Sequence, residues 1–235
     1  MLSTRKSGNE LHLFSPEDIT NPEIWPHIEP RILPHYLLTL WWTENFLARP
    51  NKDLGRSGPT CPFVRPSLDK KSFWLTAVTG AEPSLAQLEQ TVLGYRDWFL
   101  ELEPRNGDDA QYKAILILLP DLAVQGYRDV VDATQRKLKP DFVRQQLMIG
   151  QFHPQCEEPG VRNPLFRPLK CPVPLLAIRF IAAGDIVFMR GPDGTYDKDY
   201  LRAYLKTFAH DLPPTFIDEL TTTMTTNGHP HVAHG

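Results

Sequence analysis

Apolar residues recur along this chain in two rhythms, and each predicts a different element. Over 84–103, Leu85, Leu88, Val92, Tyr95, Phe99 and Leu102 alternate three- and four-residue steps, the period of a helix with one buried stripe. Ser84 followed by Gln87, just after Pro83, is a capping-box signature that fixes where this helix starts. A broader stripe of Leu37, Leu38, Trp41, Trp42 and Phe46 predicts a helix over 34–47. Tyr127, Val130, Val131 and Leu138 predict one over 123–138, which Pro140 either ends or follows with a new turn at Asp141-Phe142-Val143. Tyr200, Leu201, Tyr204, Leu205 and Phe208 predict a last helix over 197–209.

Short apolar runs at 73–79, 114–119, 147–152 and 175–181 read as strands, and the unbroken run at 114–119 predicts burial on both faces. The order α, β, α, β, α, β, long loop, β, α gives an α+β fold, an α/β sandwich. Its short central sheet of about four strands is covered by helices. Residues 1–33 are expected as an extended, proline-rich arm on the surface, anchored by Leu11, Leu13, Phe14, Ile24 and Trp25. A single domain is expected over 34–215, and a disordered tail over 216–235.

Composition narrows the function. With 41% hydrophobic residues the chain has material for a core, and a net charge of −3 with scattered Lys and Arg argues against nucleic acid as a partner. The expected partner is a small-molecule substrate, with homodimerisation left open. No apolar run approaches the ~20 residues of a membrane span, and the N-terminus lacks the apolar core of a signal peptide. Three cysteines without a C-x-x-C pair argue for a reduced, cytoplasmic protein. The 23 prolines concentrate at 16–34, 59–66 and 154–174, which predicts stiff, ordered connections. Neither G-x-G-x-x-G nor G-x-x-x-x-G-K occurs, which removes the usual nucleotide-cofactor enzymes. G-x-S-x-G and H-E-x-x-H are also absent.

The chemistry-bearing stretch is Gln151-Phe152-His153-Pro154, at the exit of the third strand. His153 reads there either as a metal or haem-iron ligand and proton shuttle, or as a loop histidine bracing the strand end. Cys61 and Cys171 each precede a proline, which can mount a thiolate, although cysteine also packs as a small hydrophobe. Cys156 stands beside Glu157 and Glu158, whose charge should blunt its thiolate. Arg162 and Arg167 could hold carboxylates through paired hydrogen bonds. Arg179, inside an apolar strand, needs a partner such as Asp185. Trp41, Trp42, Trp74 and Trp98 read as core, and His229, His231 and His234 as incidental metal binders.

Gly58-Pro59-Thr60-Cys61-Pro62-Phe63-Val64, then 147–154, then Asn163-Pro164-Leu165-Phe166-Arg167-Pro168 running into 172–179, resemble an uncharacterised bacterial domain family. The layout is also distantly similar to the YqcI/YcgG family of haem-dependent N-oxygenases. The shared pattern is a cysteine-bearing turn, a strand leading into His-Pro, an arginine-bearing loop and a second apolar strand. Here the turn is Cys-Pro-Phe rather than Phe-Pro-Cys, and Gln155-Cys156-Glu157-Glu158 replaces a Ser-Ser-Arg run. The resemblance implies haem as cofactor and His153 as the metal's axial ligand. It also implies Arg162, Arg167 and Cys61 beside the cofactor, and oxygenation of nitrogen on an amino-acid-like molecule. The alternatives are a non-catalytic haem or small-molecule binding protein, or a Cys61-centred transferase or hydrolase.

Overall fold

A computed structural model describes residues 3–7, 9–80, 83–189 and 196–226. It holds two compact units, Met1–Leu138 with Met148–Phe180, and Lys139–Leu147 with Ile181–Gly235. The first opens with an antiparallel hairpin of β1 (Ser3–Ser7) and β2 (Asn9–Leu13), then the short helix α1 (Pro16–Thr20). The Ser15 hydroxyl accepts from the Asp18 backbone N–H while the Asp18 carboxylate accepts from the Ser15 N–H, a reciprocal cap that starts α1. Helix α2 (Leu33–Trp42) continues through a π turn at Thr43–Leu47, and α3 (Val64–Asp69) leads to strand β3 (Phe73–Ala77). Then follow α4 (Leu85–Glu101), β4 (Ala114–Leu118), a π segment at Tyr127–Asp132 and α5 (Ala133–Arg144). Strands β5 (Leu147–Phe152) and β6 (Leu175–Phe180) complete the sheet.

The sheet is mixed, in the order β3-β4-β6-β5, with β3 parallel to β4 across the α4 crossover and β4 antiparallel to β6. The fold is therefore α+β. Ile115, Ile117 and Leu118 of β4 are 0% exposed, as an internal strand covered on both faces requires. Leu88, Val92, Tyr95, Trp98 and Phe99 bury the predicted stripe of α4, and the Ser84–Gln87 capping box forms. The N-terminal stretch is no surface strap. Leu13 is 0% exposed, and Phe14 exchanges both backbone hydrogen bonds with Leu75, extending the sheet beside β3.

The second unit carries α6 (Lys198–Phe208) and α7 (Pro214–Thr226). Asp197 caps α6 by accepting from the Asp199 and Tyr200 N–H groups, and Leu201 and Tyr204 supply its buried face. Helix α7 occupies part of the stretch expected as tail; His229, His231 and His234 lie outside the described residues. Two further expectations need correction. Helix α5 runs through Pro140 to Arg144, because the turn after the proline buries Phe142 and Val143 completely. Trp41 is 61% exposed: α2 is apolar nearly all round, and its buried face is set by Tyr36, Thr39, Leu40 and Trp42. No described helix is long and apolar enough to cross a membrane.

Candidate functional site

Where β3 ends, the first unit opens a cavity of about 230 Å³. Its polar lining comes from His12, His27, Glu29, Tyr36, Thr76 and Tyr95, and its apolar wall includes Phe14, Ile28 and Ile32. The place follows from topology. Beyond the carboxyl ends of parallel strands the chain must leave the sheet for its crossover, and a crevice is left there. Thr76 is the polar residue on an otherwise apolar strand, so its buried hydroxyl needs a partner. Tyr95, on the buried stripe of α4, supplies one: the two oxygens lie 2.7 Å apart. The Tyr95 hydroxyl also donates to the His12 carbonyl at 3.4 Å, linking the hairpin to the sheet.

Burial pushes the Tyr36 phenol well above the ordinary tyrosine range, reinforced by Tyr95 and opposed by a hydrogen bond with Thr76. Burial raises Tyr95 as well, while its bonds to Thr76 and His12 pull the other way. Both phenols therefore stay protonated at neutral pH. Arg31 binds Glu29, which lines the cavity, and Asp121 together, and Asp121 accepts from the Gly80 backbone N–H at 2.8 Å. The Arg31 guanidinium and then the Gly80 N–H hold the Asp121 carboxyl below its usual range. This set of phenols, imidazoles and a carboxylate around a small crevice can bind a polar molecule and hand protons to it.

The residues singled out from sequence lie elsewhere. His153 was expected semi-exposed at a rim; its ring is 1% exposed, with Tyr127 covering it at a centroid distance of 5.2 Å. The backbone N–H groups of Cys156 and Cys171 both donate to the His153 carbonyl, which draws the strand exit inward. His153 Nε2 lies 3.0 Å from Asp132 Oδ1. A carboxylate only accepts, so Nε2 donates, and Nδ1 is buried with no hydrogen-bond partner.

Arg167 donates to Glu157, Pro164 and Phe166 within its own loop, and Lys170 joins the same Glu157. Arg162 is exposed, against Gly55. Cys61 is half-buried, its N–H donating to Leu47. Burial pushes the Cys156 thiol up to about 11, with Asp132, Glu158 and Glu157 adding to the rise, and Cys171 up to about 12. Arg179 donates to the Phe180 carbonyl and lies 5.0 Å from the Phe63 ring centroid. Among the described residues no group of three or more His, Cys, Asp or Glu side chains is placed to hold a metal ion.

The molecule is thus a mixed-sheet α+β protein with a small polar cavity at the end of a parallel strand. The chain belongs to the family described as a domain of unknown function, DUF6875, whose family model matches residues 37–219. Thr76 and Tyr95 fall inside that span, whereas His12, His27, Glu29 and Tyr36 precede it. No curated protein and no solved structure matches the chain.

Proposed function

We propose that this protein binds a small organic molecule in the cavity at the end of β3 and acts on it by proton transfer. The carrying observation is the convergence of two imidazoles, a carboxylate and a buried Tyr–Thr–Tyr hydroxyl group around one crevice of about 230 Å³. In this reading the buried hydroxyls orient the ligand, His12 and His27 act as proton shuttles, and the apolar wall excludes water. Three cysteines in no disulfide and a net charge of −3 support a reducing, cytoplasmic setting without nucleic acid. The test is a small-metabolite screen by ligand-observed NMR, repeated on Ala77→Leu, which fills the cavity from its wall. Hits should vanish in the folded variant; hits that persist overturn the reading.

A second reading rests on the Asp132–His153 pair. A carboxylate on one imidazole nitrogen with the other left bare is the arrangement that orients metal-ligating histidines. On this reading, which agrees with the YqcI/YcgG resemblance, the protein is a haem-dependent oxidoreductase or a haem carrier, with His153 on the iron. When bound, haem supplies the redox chemistry. The fit is poor: the ring is 1% exposed, and Arg167 is engaged in its own loop. Hemin titration decides it. A Soret band lost in His153→Ala would support haem, and no band at all would dispose of it.

A further inference from the structure

We infer that the cavity selects small organic cations, protonated amines, a choice of ligand class that rests on reading it as the binding site. Charge is the first argument. No lysine or arginine lines the cavity, while Glu29 does. Arg31 is shared between Glu29, which lines the cavity, and Asp121, so two carboxylates face one guanidinium. At an interior or rim position such an excess attracts a counter-charge.

The floor gives a second, independent argument. Thr76 and Tyr95 have two hydroxyl protons between them, and both are engaged, one in the bond the two oxygens share and one toward the His12 carbonyl. Tyr36 shares a further hydrogen bond with Thr76, so the three hydroxyls are tied to one another. Such a floor accepts hydrogen bonds more readily than it donates them, which suits an N–H-bearing head group and not a carboxylate. The wall adds a third element. Phe14, Tyr36 and Tyr95 bring three aromatic rings to one crevice, Phe14 and Tyr36 with centroids 5.6 Å apart, and aromatic rings favour ammonium groups over anions.

The experiment uses one ring carrying three charges: cyclohexylammonium, cyclohexanol and cyclohexanecarboxylate, titrated into the full chain by ligand-observed NMR. Low salt limits screening of charge. A pH near 8 keeps the amine protonated, because an alkylammonium such as that of lysine titrates near ~10.4. Cyclohexylammonium should bind about ten-fold more tightly than cyclohexanol, with the carboxylate weakest. Glu29→Gln should reduce the ammonium affinity about three- to ten-fold, and by more than it reduces that of cyclohexanol. Alcohol or carboxylate binding as well as the ammonium overturns the charge preference alone. So does ammonium binding that is indifferent to Glu29→Gln, whereas ammonium binding that survives Ala77→Leu overturns the cavity as the binding site. If none of the three binds, the cavity itself is not the ligand site.

Discussion

Asp132 and His153 are bound to each other 3.0 Å apart at the edge of the interior, the carboxylate partly in solvent and the imidazole fully out of it. The pair spans the π segment and β5, so it ties a π turn to the end of a strand. Removing Asp132 leaves a buried N–H unsatisfied, which costs about 1–3 kcal/mol. Asp132→Ala should lower Tm by about 2–4 °C for each kcal/mol lost in a chain of this size. In a His153→Phe background the same change should cost almost nothing. A double-mutant cycle with no coupling would show that the bond carries no stability.

The Thr76–Tyr95 contact makes a different prediction, because it joins stability to the cavity. Tyr95→Phe removes the hydroxyl that meets both Thr76 and the His12 carbonyl while keeping the ring. A loss of about 1 kcal/mol is expected in denaturant unfolding. Any ligand found for the cavity should bind more weakly to this variant, whereas Tyr127→Phe, away from the lining, should leave binding unchanged. Equal binding by the wild type and Tyr95→Phe would remove the hydroxyls from the site.

Legibility followed locality. The capping box at Ser84, the α4 stripe and the doubly buried β4 are set by neighbours a few residues apart, and all three appear as the pattern requires. The buried face of α2 was not legible, because a helix apolar nearly all round has no preferred side until it packs; Leu37, Leu38 and Trp41 ended outside. His153 misled for a related reason. Turn-forming neighbours suggest exposure, yet two backbone bonds to its carbonyl and the Tyr127 ring turn it inward. The cavity is assembled from β2, the 25–36 stretch, β3 and α4, and its residues share no spacing. One signal did exist: Thr76 on an apolar strand and Tyr95 on a buried stripe each demand a polar partner.

Thiol chemistry separates the three cysteines. Cys156 and Cys171 are 2% exposed, with burial holding their thiols near 11 and 12, so almost no thiolate forms at neutral pH. Cys61 is half-buried. Native protein treated with iodoacetamide should therefore gain a single label, located on Cys61 by peptide mass spectrometry, and denaturation should expose the other two. Early labelling of Cys156 would contradict its position behind His153.

Lys113 offers a pH test. Its ammonium is wholly buried, donating to the Leu102 carbonyl at 2.7 Å at the end of α4, with the Phe99 ring centroid 4.6 Å away and that of Phe180 5.2 Å away. Burial pushes its pKa down to about 8; Glu103 pulls it upward and Arg105 further down. An unfolded lysine titrates near ~10.4. Between these values the unfolded chain holds a proton that the folded chain has released, so stability rises with pH across that window. The burial-raised tyrosines act in the opposite sense above about pH 10, where unfolded tyrosines ionise first. The gain from Lys113 is therefore best seen from pH 8 to 10, and at about 1.4 kcal/mol per pKa unit it amounts to roughly 2 kcal/mol. Lys113→Met should abolish the rise, at the cost of a donor for Leu102. Parallel stability–pH curves for the variant and wild type would mean that Lys113 keeps its proton throughout.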